Sequence, residues 1–277
     1  MYNAAYKPIA LAMLASLMAT GCTSAPSADE LLSQATLAYE SCNYPLVIEL
    51  ADSLSRTFPD DTGNGLAALN LRARAMEGTL MQQLATADSI IAIHQAHGDS
   101  LRAMLRLVEN PVENYYIMGD APRDLAGTTT LQARVTTDHK LYIISTCSKG
   151  AGHTSLTLSA GGETFSTPVI PHDNELNYTQ ASTEYIHFTG SPAEEMAQFI
   201  SRHSDTPIEL TYNGTGKAVP VKGLLAPGAA RQIAAALDYV HTARELAMAT
   251  LSQQRIDRQL ATVRATIART TIATPQE

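Results

Sequence analysis

Apolar residues recur at helical spacing up to residue 109, alternate with polar ones from 110 to 226, and return to helical spacing from 227 onward. A period of 3.6 cannot be buried as a strand, nor a period of 2 as a helix, so this double switch is the tightest constraint on the fold. It predicts an α+β protein. Helical hairpins are expected over 29–109, an antiparallel β domain with one short helix over 110–226, and a long helix over 227–270 followed by a tail at 271–277.

Within the middle region, runs 131–136, 141–147, 154–160, 163–169, 184–189, 207–213 and 217–222 read as strands. Gly161-Gly162 and Asn213-Gly214 read as tight hairpin turns, which makes the pairing antiparallel. A short helix opens at Ser191 as its cap, with Pro192 in the first turn and Glu194 and Glu195 opposing the helix dipole.

At the N-terminal side, Ser27 and Glu30 have capping-box spacing, and Leu31, Ala35, Ala38 and Cys42 follow on one helical face. Asn43 and Pro45 mark a break, after which Val47, Leu50, Ala51, Leu54 and Phe58 line a second helix. A weaker pair is expected over 65–78 and 79–97, with Gly78 at the bend. The final helix carries the broken stripe Ile233, Leu237, Val240, Ala247, Leu251, Leu260, Val263 and Ile267. Six arginines from Arg231 to Arg269 face only three acids there, whereas residues 22–109 hold 11 acids against 5 bases. Opposite charge predicts that this helix packs back on the N-terminal helices; a hook for another protein is the alternative.

The chain begins with Lys7, the apolar run Ile9 to Met18, and then Ala19-Thr20-Gly21-Cys22. The run is too short to span about 30 Å of hydrocarbon. The segment resembles a bacterial lipobox, with Ala19 standing where a larger aliphatic is commoner. That resemblance implies a signal peptide over 1–21 and a palmitate-type lipid on Cys22 as the first mature residue. Residues 22–28 then read as a tether. The implied location is the cell envelope, lipid-anchored in the outer membrane, on either face. The formal net charge of −8 opposes binding to phosphate backbones, so nucleic acid is excluded as a partner.

Leu32 to Asp60 resembles a tetratricopeptide hairpin through Ala35, Tyr39, Tyr44 and the closing Phe58-Pro59. The whole layout of lipobox, helices, strand-rich middle and long final helix is similar to envelope lipoproteins of Bacteroidota. The triplets Asp52-Ser53-Leu54, Asp88-Ser89-Ile90 and Asp99-Ser100-Leu101 resemble the O-glycan acceptor motif of exported proteins in that group, which makes Ser53, Ser89 and Ser100 candidate modification sites.

Signatures of chemistry are scarce. No phosphate loop, nucleophile elbow or zinc-protease motif occurs, so no catalytic residue, cofactor or metal is expected. A disulfide is open to Cys42 and Cys147 in an oxidising compartment, but their spacing favours two separate buried thiols. The loop at 171–178 gathers His172, Asp173, Glu175 and Tyr178, as binding loops do. Three functions are therefore weighed. The first is a non-enzymatic lipoprotein that binds an envelope protein or serves envelope assembly. The second is a glycan- or peptide-binding lipoprotein using that loop and tyrosines such as Tyr115, Tyr116, Tyr142, Tyr178, Tyr185 and Tyr212. The least supported is a hydrolase, which would need His153 or His172 bonded to both a carboxylate and a serine inside a pocket.

Overall fold

The computed structural model describes residues 26–214 and 220–273. The signal peptide, Cys22, most of the tether, Lys217, Val219 and the last four residues lie outside the described residues. Three helices come first: α1 (Ala28–Glu40), α2 (Tyr44–Thr57) and α3 (Thr62–Ala103). Eight strands follow: β1 (Leu105–Val108), β2 (Tyr115–Met118), β3 (Thr130–Thr136), β4 (Leu141–Cys147), β5 (His153–Ala160), β6 (Glu163–Ser166), β7 (Asn177–Gln180) and β8 (Thr183–Thr189). The chain ends with α4 (Ser191–Arg202), β9 (Glu209–Gly214), β10 (Val221–Leu224) and α5 (Pro227–Ala273). The class is α+β, with all strand pairs antiparallel and the long last helix packed back on the N-terminal helices.

Two compact units divide the chain: residues to 79 with those from 260 on, and residues 80–259. Helices α3 and α5 contribute to both. In the first unit the capping box forms as expected. Ser27 Oγ accepts from Glu30 N–H at 3.2 Å, and Glu30 Oε2 accepts from Ser27 N–H at 2.9 Å. Helices α1 and α2 make an antiparallel hairpin whose buried faces, Leu31, Ala38, Val47, Ala51 and Leu54, close on Ala68 and Ala75 of α3. The end of α5 joins them. Asn70 Nδ2 donates to Thr270 Oγ1 at 2.7 Å, and Arg264 Nε donates to Glu77 Oε1 at 2.7 Å.

The second expected hairpin does not exist, because α3 runs unbroken through Gly78. That glycine is a contact, not a bend. A Cβ there would stand 2.3 Å from the Tyr44 ring, so the missing side chain is what lets the ring lie against the helix. Cys42 is also corrected: it follows α1 with φ 57° and is exposed, not part of the buried face. The predicted tail at 271–277 begins as the last residues of α5.

The second unit holds two sheets. One has the order β1-β2-β3-β4-β8-β7 and the other β10-β9-β5-β6. Strand β4 has the bounds its alternation predicts, and Gly161-Gly162 forms the β5–β6 turn with φ of 58° and 84°. Asn213-Gly214 is not a turn, since both residues remain in β9, paired with Ser155 and His153 of β5. Strand β1 starts five residues before the predicted boundary of the β region. The cap of α4 is Gly190, one residue before Ser191. One apolar core joins both sheets to α4 and the start of α5, with Ile143, Ile186, Phe188, Leu156, Met196, Ile200 and Val240 almost wholly buried. Truncating Phe188, which is fully buried, would cost about 3–5 kcal/mol.

Candidate functional site

Two polar constellations form on opposite faces of the six-stranded sheet. The outer face carries a run of aromatic and charged residues set by strand alternation. Tyr115 of β2, Arg134 of β3, Tyr142 of β4 and His187 of β8 line a cavity of about 470 Å³. Lys140, Glu113, Glu194 of α4 and Arg244 of α5 complete its rim. The Arg134 guanidinium lies over the Tyr115 ring, 4.2 Å from its centroid, and its Nε donates to Gln132 Oε1 at 3.0 Å. The rings continue sideways: Tyr142 stacks on His187 at 6.2 Å, and Tyr178 of β7 meets His187 at 5.6 Å.

The charges of this cavity are not all matched. Lys140 is tied to Asp138 at 2.7 Å, and Arg244 grips both oxygens of Glu194 at 2.9 and 2.5 Å. Arg134 is half-buried and has no carboxylate partner among the described residues. Its field is felt by its neighbours. Burial, reinforced by Arg134, pushes the His187 pKa down to about 4. Burial pushes Tyr142 up to about 12 against the opposing pull of Arg134. Both side chains are therefore neutral across the physiological range, and Arg134 makes no direct carboxylate contact within its aromatic wall, while Glu113 lines the same cavity and acts on Tyr142.

The inner face carries a closed cluster. His153 Nδ1 lies 2.8 Å from Glu184 Oε2, and its Nε2 lies 3.2 Å from Ser145 Oγ. The N–H groups of Gly152 and His153 donate to the same carboxylate at 2.7 and 3.0 Å. Burial alone would raise the Glu184 pKa, but those three hydrogen bonds outweigh it and hold it low. His153 goes down, because burial exceeds the help it receives from Glu184. A β-bulge between His153 and Ser155 explains how the imidazole gets there. Leu156, Leu158 and Ala160 face inward at even positions, so unbroken alternation would aim His153 outward; the extra residue turns it in.

This is the histidine, carboxylate and serine contact that a hydrolase would need, set apart from the tyrosine-lined cavity. Ser145 and His153 are fully buried, and neither lines the cavity. The Ser145 hydroxyl and the His153 ring are closed to solvent.

The loop residues singled out from sequence do not assemble. His172 Nε2 contacts the Gly152 carbonyl at 3.3 Å, while Asp173 and Glu175 are exposed and outside the cavity. Leu176 lines the cavity. Tyr178 stacks on Tyr185 at 5.1 Å, and its hydroxyl lies 3.3 Å from His187 Nε2. Tyr212 belongs to the core instead. Ser53 is half-buried in α2, whereas Ser89 and Ser100 are exposed on α3. Sequence reasoning missed Arg134, which shares a β3 face with Gln132; an arginine inside an alternating strand was the available signal. Comparison with protein-family models, with curated proteins and with solved structures finds no match for this chain.

Proposed function

We propose that this chain is a membrane-anchored envelope lipoprotein whose β unit binds a small acidic ligand, a carboxylate-bearing glycan or peptide, in the tyrosine-lined cavity. The observation that carries this reading is Arg134, half-buried over Tyr115 in a cavity of about 470 Å³ with no carboxylate of its own. A guanidinium in that state is a ready partner for a carboxylate, and a desolvated charge-assisted bond contributes about 1.5–3 kcal/mol. The tyrosine walls supply apolar contact for the rest of the ligand. The role proposed is binding.

Calorimetric titration with a panel of acidic and neutral glycans and peptides tests it. Acidic members are expected to bind, and Arg134→Ala to weaken them roughly ten- to a hundredfold. Equal binding of neutral members, or an unchanged Arg134→Ala, would discard the reading. The lipid on Cys22 is tested apart, by whether Cys22→Ser leaves the membrane fraction.

A protein partner is the second reading. It is favoured by Ile90 and Ile93 of α3 and Met248 and Leu251 of α5, which are exposed apolar residues spaced three apart on their helices. Charged substitutions at Ile93 and Leu251 would abolish a pull-down of such a partner while leaving ligand titration intact.

A further inference from the structure

The closed cluster holds more than a histidine relay. Cys147 and Glu184 are direct partners across β4 and β8, so their side chains leave the sheet on the same face. The bulge in β5 brings His153 to them from the other sheet. One donor atom from each of Cys147, His153 and Glu184 lies within 4.8 Å of the others, and all three residues are buried. A second observation points to the same place. The Tyr212 ring meets His153 edge-on at 5.4 Å, and its hydroxyl is fully buried with no hydrogen-bond partner.

A buried polar atom without a partner is uncommon and calls for something to satisfy it. The donor types narrow what that is. Calcium and magnesium select oxygen-only shells, whereas sulfur, imidazole and carboxylate together suit a borderline-soft divalent ion with tetrahedral preference.

We propose that Cys147, His153 and Glu184 form a structural site for one zinc-class divalent cation, with the Tyr212 hydroxyl at its edge. The cation displaces the thiol proton of Cys147 and replaces one of the two hydrogen bonds that His153 now makes, to Glu184 or to Ser145. The backbone N–H groups of Gly152 and His153 stay on the carboxylate and orient it. The site is closed to substrate, so its role is to tie the two sheets together. It stands apart from the tyrosine-lined cavity and does not depend on the ligand proposed there.

The test uses the full chain carrying Cys22→Ala and Cys42→Ala, which leaves Cys147 as its one thiol. After chelation and dialysis, Co(II) is titrated and the absorption spectrum recorded. One equivalent of Co(II) is expected, with a thiolate-to-cobalt charge-transfer band in the near ultraviolet and visible bands of tetrahedral intensity. Cys147→Ser should lose the charge-transfer band while keeping its circular dichroism. Zn(II) should raise the melting temperature of the parent with concentration, and that of Cys147→Ser by much less. Absence of stoichiometric cobalt binding in the folded parent overturns the site. So does a bound cobalt without a thiolate band, a result that needs no variant to fold.

Discussion

Strands β4 and β8 each serve the open cavity and the closed cluster, residue by residue. Tyr142 and His187 point into the cavity; Ser145, Cys147 and Glu184 point inward among Ile143, Ile186 and Phe188. The same alternation thus places polar groups in two environments with opposite demands. On the open face, water can answer whatever the protein leaves unpaired, so Arg134 can hold its charge without a direct carboxylate contact. On the closed face an unpaired donor or acceptor is costly, and three hydrogen bonds converge on Glu184, with the Tyr212 hydroxyl an exception. On the proposed reading, polar groups on one face set stability and those on the other set recognition.

The largest expected effect is on the closed side. In chelated protein, Glu184→Ala strips the acceptor from His153 Nδ1 and from two backbone N–H groups. It should cost about 3–5 kcal/mol in urea unfolding. A cost below about 1 kcal/mol would mean that water already reaches the cluster, which breaks the contrast with the cavity.

The next effect is a pH slope from the open side. His187 has its pKa moved from 6.5 to about 4, with Arg134, Tyr142 and Tyr178 around it. The unfolded chain therefore takes up this proton before the folded one does. Stability from this residue is complete above about 6.5 and is lost as pH falls toward 4. Equilibrium unfolding across that window should show the slope in the native chain, and His187→Gln should lessen it, leaving the share that His153, also held low by burial, contributes. An equally steep slope in the variant would sharpen the comparison by moving the titration elsewhere.

The smallest effect belongs to Tyr178, exposed at 40% yet stacked on Tyr185. Tyr178→Ala should cost only about 0.5–1.5 kcal/mol by thermal denaturation, the ordinary worth of an aromatic pair. A loss comparable to that of Glu184→Ala would show that the outer face is as tightly coupled as the core.

Much of the scaffold was legible because it follows from local rules. The Ser27–Glu30 box, the Gly161-Gly162 turn and strand β4 need only neighbours within a few residues. Gly78 misled because the same residue serves as a bend or as a gap for a ring, and only the position of Tyr44 tells which. Asn213-Gly214 misled because pairing with the bulged end of β5 keeps both residues in a strand. Strands β1 and β7 have four residues each, too few for alternation to show. The closed cluster was half visible. Ser145 and Cys147 are polar or sulfur-bearing residues on the face that Leu141 and Ile143 mark as core. What could not be read was the bulge that reverses His153, nor that Glu184, in a different hairpin, lies opposite Cys147.

The most direct test of the two-face account is a crossed measurement on Arg134→Ala and Ser145→Ala, recording unfolding free energy and affinity for an acidic ligand on each. The account predicts that Ser145→Ala loses about 1–3 kcal/mol of stability with affinity unchanged. Arg134→Ala should lose roughly ten- to a hundredfold in affinity with stability altered by less than about 1 kcal/mol. If Arg134→Ala unfolds as readily as Ser145→Ala while binding is untouched, the arginine is structural and the division of labour between the faces is wrong.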